Sequence, residues 1–154
     1  MGTGISFKCS RCGKSYAASW GIGMMFPKQY AKIMKKAKRG GFGEEYKKLI
    51  NNNPNVAIDA EEYVYCCRSC KVWKVEPGLA LYRPNSGCKT EIAQDYVTPN
   101  ELKKYYRSWR HISHKCPKCG ERMHRANEYE IKTLPCPYCG GPRDMDYEGL
   151  IMWD

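Results

Sequence analysis

The sequence has little histidine, few acidic residues and no long apolar run. Its 154 residues include three histidines, and 26 basic side chains stand against 16 acidic ones. A membrane-spanning helix needs about 20 consecutive apolar residues, and no segment of this chain supplies them. The first ten residues also lack the apolar core of a signal peptide, so we expect a cytoplasmic protein without a membrane partner.

Motifs of several enzyme classes are also missing. Zinc deaminases combine Pro-Cys-x-x-Cys with His-x-Glu; the first motif occurs at residues 135–139, but the second occurs nowhere in the chain. We find no glycine-rich phosphate loop, no nucleophile–histidine set and no redox Cys-x-x-Cys on a predicted βαβ frame. We therefore expect that the chain is not an enzyme.

Cysteine, in contrast, is abundant, with ten residues. In a reducing compartment such a number favours metal sites over disulfides. Eight of the ten form Cys-x-x-Cys pairs, which we call hooks 1 to 4: Cys9/Cys12, Cys67/Cys70, Cys116/Cys119 and Cys136/Cys139. The tight turn of each hook can point backbone N–H groups at the sulfurs, and two hooks complete a tetrahedron around Zn²⁺. Glycine follows hooks 1, 3 and 4, as suits a turn that requires positive φ.

The hooks, most clearly those within residues 114–154, resemble the zinc-ribbon (rubredoxin-like zinc knuckle) superfamily. The resemblance implies two four-cysteine sites with two Zn²⁺ per chain, and it leaves residues 13–65 without a counterpart. A shell closed by four thiolates keeps no open position for catalysis.

The stretch YCCRSC, residues 65–70, contains three cysteines where a hook needs two. Aligning it with hook 1 assigns Cys67 and Cys70 as ligands. EYVYCC is typical of a strand, in which Cys66 faces the same side as Val64 while Cys67 faces the other side. We therefore predict that Cys66 is a small core residue, and that Cys88 is not a ligand either.

Loop length favours pairing of neighbouring hooks. Hooks 3 and 4 are separated by 16 residues and hooks 1 and 2 by 54. Pairing hook 1 with 2 and hook 3 with 4 closes the shorter loops, whereas the alternative of 1 with 3 and 2 with 4 closes longer ones. Residues 121–135 are predicted to form two short strands around a turn near 126–127, as a compact ribbon needs.

Two amphipathic helices with basic faces are predicted, at residues 26–39 and 98–112, and a shorter helix is predicted between them, at residues 43–54. The first has Pro27 near its start and a glycine pair at its end. The second begins with a capping box formed by Thr98 and Glu101. The basic side chains predicted to face solvent and contact nucleic acid are Lys28, Lys32, Lys35, Lys36, Arg39, Lys103, Arg107 and Arg110.

Together these elements predict a small α+β zinc-binding protein with two zinc-ribbon-like modules, each with a four-cysteine site and short antiparallel strands. The first module would span residues 1–97, with a helical insertion at about 13–65. The second would span residues 98–154 and combine a linking amphipathic helix with a C-terminal zinc ribbon.

The charge favours a polyanionic partner. The formal net charge is +10, and two four-cysteine zinc sites would bring eight thiolate charges against four from the metals, leaving +6. Basic helix faces suit phosphate backbones, so we predict a protein that binds DNA or RNA. The alternative is a zinc-stabilised protein-interaction module, such as an adaptor or small inhibitor, with the apolar stretch at residues 19–27 as its contact patch.

Overall fold

The computed structural model describes residues 2–87 and 96–153. In chain order, the elements are β1 (Gly2–Cys9), β2 (Ser15–Gly21), α1 (Phe26–Lys38), α2 (Glu44–Asn51), β3 (Ala57–Ile58), β4 (Glu62–Cys66), β5 (Trp73–Pro77), β6 (Leu81–Pro84), α3 (Pro99–Tyr105), β7 (Tyr106–Arg110), β8 (His124–Arg125), α4 (Glu128–Thr133) and β9 (Arg143–Trp153). All strand pairings are antiparallel among these residues, so the prediction of a small α+β protein with antiparallel strands is confirmed.

The chain divides into two compact units, each with its own sheet. Unit 1 comprises Met1–Met24, Glu62–Pro77 and Ser113–Asp154; unit 2 comprises Met25–Glu61 and Gly78–Ile112. Unit 2 is therefore made of two separate insertions into the sequence of unit 1. The division differs from the predicted boundary, because residues 97 and 98 both lie within unit 2.

Unit 1 is built on a sheet with the strand order β5-β4-β2-β1-β9, and β8 also pairs with β4. Alternate residues of β1, β2, β4 and β5 face one core, because successive side chains of a strand point to opposite faces. Phe7, Val64 and Trp73 belong to this core, and Phe7 and Val64 are 2% and 1% exposed. The cysteines Cys9 and Cys136 lie in the same cluster, so the core and the hooks share residues.

The helix α4 corrects the prediction for residues 121–135, where we expected two strands. Strand β8 forms as expected, but the second half of the segment is helical. Asn127 and Glu130 form a capping box in which each side chain accepts the other's backbone N–H, both at 2.9 Å. This local arrangement starts a helix, and the helix places Ile131 in the core of unit 1.

Unit 2 contains α1, α2 and α3 with the three-stranded sheet β3-β6-β7. The first two helices follow their predicted positions. Tyr30, Ile33 and Ala37 of α1 are buried, as the helical period required. Tyr46 of α2 is buried as well, and its hydroxyl donates to the carbonyl oxygen of Leu79 at 2.7 Å.

The third predicted helix is only half helical. The capping box is confirmed: the backbone N–H of Thr98 donates to the Glu101 carboxylate at 2.8 Å, and the N–H of Glu101 donates to the Thr98 hydroxyl at 3.3 Å. The helix ends at Tyr105, however, and residues 106–110 form β7, which pairs with β6. This segment is rich in aromatic residues, which favour strands, and pairing with β6 outweighs the helical pattern of its apolar positions.

The described helices are all short. The longest, α1, has 13 residues, and no helix among residues 2–87 and 96–153 combines the length and apolar character needed to cross a membrane.

Candidate metal centres

The four hooks share one backbone conformation. In hook 1, the N–H of Gly13 donates to the carbonyl oxygen of Cys9, and the N–H of Cys9 donates to that of Lys14, both at 2.9 Å. The two equivalent hydrogen bonds occur in hooks 2, 3 and 4, at 2.8–3.0 Å. The same turn is therefore built four times from different sequences.

A residue with positive φ follows the second cysteine of every hook. Gly13, Gly120 and Gly140 have φ of 70°, 75° and 68°, as expected for these glycines. A Cβ added at any of the three would meet nothing within 4 Å, so glycine serves the backbone conformation there and not a close contact. Hook 2 is the exception, because Lys71 occupies this position with φ of 57°.

Each hook also directs a backbone N–H at a sulfur. The N–H of Cys12 donates to the Sγ of Cys9 at 3.4 Å, and hook 2 has the same bond at the same length. In hooks 3 and 4 the donors are the N–H groups of Lys118 and Gly141, and each reaches a sulfur of its own hook, again at 3.4 Å. Such bonds favour the thiolate form of the sulfur, which is the form that binds metals.

The structure brings the eight cysteines of the hooks together in two groups of four. Site A contains Cys9, Cys12, Cys136 and Cys139; site B contains Cys67, Cys70, Cys116 and Cys119. Within each site the four sulfur atoms lie within 4.8 Å of one another.

The sulfur separations fit a tetrahedral metal. Sγ–Sγ distances are 3.5 Å for Cys9 and Cys139, 3.8 Å for Cys12 and Cys136, and 3.6 Å between hooks 2 and 3. A tetrahedron with Zn–S bonds of about 2.3 Å has edges of about 3.8 Å. Two groups of four cysteines with these dimensions could each hold one metal ion.

The pairing of hooks is nested, which corrects both arrangements considered from the sequence. Hook 1 meets hook 4 and hook 2 meets hook 3, whereas we expected hook 1 with 2 and hook 3 with 4. The alternative of 1 with 3 and 2 with 4 is also wrong. The segment 98–154 thus carries two hooks that belong to different sites, and it contains no complete ligand set.

Strand pairing is the physical reason for the nested arrangement. Hook 1 follows β1 and hook 4 precedes β9, and β1 pairs with β9 from Gly2↔Trp153 to Cys9↔Arg143. Hook 2 follows β4 and hook 3 precedes β8, and these strands pair at two positions up to the start of hook 2. Each antiparallel pair therefore places the two hooks of one site side by side.

Loop closure opposes this arrangement only weakly. The nested loops enclose 45 and 123 residues, where local pairing would enclose 16 and 54. Since each doubling of loop length costs about 0.6 kcal/mol, the difference is about 2 kcal/mol. The backbone hydrogen bonds and shared core of a paired sheet outweigh a penalty of this size.

The thiols of site A have different pKa values. The backbone N–H of Cys12 lowers the pKa of Cys9 to about 6. For Cys139 the N–H of Gly141 also lowers the pKa, but burial and hydrogen bonds with the neighbouring thiols outweigh it and raise the pKa to about 11. Four adjacent sulfurs cannot all carry charge unless a cation compensates them.

Site B has the same division. Burial raises the pKa of Cys116, but the N–H groups of Cys119 and Lys118 outweigh it and lower the pKa to about 7. The N–H of Glu121 lowers the pKa of Cys119, but hydrogen bonding with Cys70 and burial raise it to about 12. A bound divalent metal would replace the protons that such thiols retain.

Cys66 lies outside both groups, as predicted. It is 5% exposed and packs in the same core cluster as Val64, whereas Cys67 packs with Tyr65 on the other side of the strand. Burial raises the pKa of the Cys66 thiol, so this sulfur is held as a neutral core group. The other cysteine outside the hooks, Cys88, lies outside the described residues.

The eight residues predicted to contact nucleic acid are all exposed, but only those in the region of α1 form a helical face. Five belong to the region of α1: Lys28, Lys32, Lys35, Lys36 and Arg39. Lys103 lies on α3, while Arg107 and Arg110 lie on β7. The prediction of a second basic helix face is therefore wrong, because residues 106–110 are extended.

The first prediction concerns the third cysteine of YCCRSC. We expect native mass spectrometry to show two Zn²⁺ per chain for the wild type and for Cys66→Ser, because Cys66 donates to neither site. The matched variant Cys67→Ser, one residue away, should lose the ion of site B or bind it far more weakly. Loss of an ion from Cys66→Ser, or a single ion in the wild type, would contradict the assignment.

The second prediction tests the pairing with double variants. Cys9→Ser combined with Cys139→Ser damages site A alone, so one metal ion should remain per chain. Cys9→Ser combined with Cys67→Ser damages both sites and should leave none, although the number of substitutions is the same. One retained ion in the second variant and none in the first would show that the hooks pair locally.

Comparison with known protein-family models, curated proteins and solved structures gives no match for this chain. The likeness to zinc ribbons thus rests on the hooks and on the two groups of four sulfurs. The chain carries two four-cysteine groups suited to metal binding, within a small α+β fold.

Proposed function

We propose that this chain is a zinc-stabilised nucleic-acid-binding protein whose main phosphate-binding surface is the basic face of α1. Sites A and B would hold Zn²⁺ as structural ions, and the helix would supply the electrostatic contacts. The observation that carries the proposal is the separation of charged and buried residues on this helix.

The basic face of α1 is uninterrupted by acids. The segment FPKQYAKIMKKAK contains no Asp or Glu, and all of its lysines are exposed while Tyr30, Ile33 and Ala37 are buried. Three lysines lie in the last turn, where they also interact favourably with the helix dipole. One or two basic side chains are enough to interact favourably with the helix dipole. The larger number present, five exposed lysines and Arg39, therefore favours a polyanionic ligand.

The distribution of charge between the units supports the same surface. Unit 2 has 14 basic and 7 acidic residues, a formal charge of +7, whereas unit 1 has 12 and 9, a charge of +3. Each Zn²⁺ bound by four thiolates contributes −2, which would bring unit 1 to −1. The excess positive charge would then belong to unit 2, where α1 lies.

The metal ions have a structural part in this proposal. Zn²⁺ would be held by the four cysteines of each site, whose closed shell leaves no position for substrate. The first cysteine of every hook is buried, so the ions would join the core of unit 1 to its surface turns. The proposal therefore includes no catalytic step.

Residues beyond α1 have a lesser place in the proposal. Lys103, Arg107 and Arg110 are exposed and could add phosphate contacts, although they do not share a helix. Trp109 is a poor candidate for stacking on bases, because the Arg83 guanidinium already lies 3.6 Å from its ring centroid.

The third prediction tests the helix face by charge reversal. Changing Lys32, Lys35 and Arg39 together to Glu should weaken binding of single- and double-stranded DNA and RNA. The slope of log affinity against log salt should flatten by about 0.7 to 0.9 for each phosphate interaction that the variant no longer makes. These side chains point away from the buried face, so circular dichroism and metal content should not change.

A control variant separates the surface from net charge. Lys115, Arg122 and Lys132 are exposed residues of unit 1, and changing these three to Glu alters the net charge by the same amount. This control should keep more affinity than the α1 variant. Equal weakening in the two variants, or negligible wild-type binding at low salt, would count against the proposal.

A second candidate function is a zinc-stabilised protein-interaction module. The apolar stretch at residues 19–27 is partly exposed: Met24 and Met25 are 77% and 61% exposed, whereas Phe26 is 3% exposed. Exposed methionines make adaptable protein contacts. Nuclease treatment of a native pull-down distinguishes the two candidate functions. A stoichiometric partner protein that remains bound after nuclease treatment, and no longer binds the variant with Met24→Ser and Met25→Ser, favours this second function.

A further inference from the structure

Unit 1 contains a cleft bordered by both metal sites. Its volume is about 310 Å³, and it is lined by Cys70 of site B and by Cys136 and Cys139 of site A. Ligand pockets usually begin at about 300 Å³, so the cleft suits one small molecule or one unit of a polymer.

Two lysines contribute to the lining of this cleft from two hooks of site B. Lys71 directly follows hook 2, and Lys118 lies inside hook 3. Both residues are exposed. Because hooks 2 and 3 supply the same metal site, a bound ion would hold the backbones of both lysines in a defined arrangement.

The conformation of Lys71 is a second, independent observation. Lys71 occupies the position that is glycine in the other three hooks, and it has the same left-handed backbone with φ of 57°. A residue with a Cβ is disfavoured in this region, and glycine is not. Glycine would therefore stabilise this turn more than lysine does, which indicates that the lysine side chain is present for another reason.

The remaining lining offers apolar surface and sulfur acceptors. Val72, Trp73 and Pro135 provide the apolar part. Trp73 is held in place because its indole N–H donates to the carbonyl oxygen of Pro135 at 2.7 Å. Metal-bound thiolates accept hydrogen bonds, so the cysteines favour a ligand that carries N–H donors, whereas Lys71 and Lys118 favour an anionic group on the same ligand.

We propose that this cleft binds a nucleotide, with its phosphate at Lys71 and Lys118 and its base against the apolar lining. A nucleotide combines the required features: an anionic group for the lysines, a planar ring for the apolar surface, and N–H groups for the sulfur acceptors. The site is separate from the basic face of α1. The ligand is either a free nucleotide or the 5′-terminal nucleotide of a strand, since both present the same chemistry.

The test uses the full-length, zinc-loaded chain with adenosine monophosphate as the probe. We expect saturable shifts of the Trp73 indole N–H and the Lys71 amide in ¹⁵N–¹H spectra. Lys71→Gln and Lys118→Gln should each weaken binding about tenfold, as loss of one charge-assisted hydrogen bond implies. Lys115→Gln is the matched control, because Lys115 lies one residue before hook 3 and does not line the cleft; it should bind as the wild type does.

Further measurements identify the source of the ligand and the part played by its base. Inorganic phosphate should bind at least about tenfold more weakly than the nucleotide, because it lacks the base that packs on the apolar lining. A 5′-phosphorylated oligonucleotide that shifts the same signals indicates a strand end, and shifts from the mononucleotide alone indicate a free nucleotide. The proposal is overturned by absence of binding at millimolar nucleotide, by equal affinity for phosphate, or by unchanged affinity in both cleft variants.

Stability measurements distinguish a ligand-binding lysine from a structural one. Lys71→Gly should raise the melting temperature by about 2–4 °C, since it removes the disfavoured left-handed backbone of a residue with a Cβ in a chain of this length. The same variant should lose nucleotide affinity as Lys71→Gln does. A lower melting temperature for Lys71→Gly would overturn the argument that glycine is the better residue for this turn.

The result is separable from the test of α1. The variant with Lys32, Lys35 and Arg39 changed to Glu should bind adenosine monophosphate as the wild type does, because these residues do not line the cleft. Loss of nucleotide binding in that variant would show that the shifts do not report on this cleft.

Discussion

The pairing of β1 with β9 is the interaction on which the arrangement of unit 1 depends. These strands come from opposite ends of the chain, and their register places hook 1 beside hook 4. The shorter pairing of β4 with β8 does the same for hooks 2 and 3. A register shift of one residue would turn the side chains of β1 or β4 to the opposite face and separate the sulfurs, so the sheet and the four-cysteine sites constrain each other.

The four-cysteine sites also connect the core with the surface. Cys9 and Cys136 pack with Phe7 and Val64, while the second cysteine of each hook lies nearer to solvent. Four sulfurs at such distances repel one another once ionised, so the arrangement needs a cation to be stable as thiolates. Metal binding and core formation are therefore expected to be one cooperative event in this unit.

The net charge of each unit and the position of the hooks favour different binding roles for the two units. Metal-bound thiolates would cancel the positive charge of unit 1 and leave it close to neutral, so long-range attraction of a polyanion would come from unit 2. In unit 1, recognition would instead be local, at a cleft where Lys71 departs from the glycine of the other hooks. The hook sequences already contain this departure, but only the structure shows that the lysine lines a cleft.

The sequence by itself determined the features that depend on short spacings. The hooks, the core position of Cys66, the helices α1 and α2 and the capping box at Thr98 all follow from neighbours within a few residues. Even α4 had such a signal in Asn127 and Glu130. The tertiary structure alone decided which hooks meet and that residues 106–110 become a strand, because both depend on pairing with distant segments. The local spacing of the cysteines does not indicate which distant strands pair. The loop-closure cost calculated from that spacing, about 2 kcal/mol, is smaller than the stabilisation that a paired sheet provides.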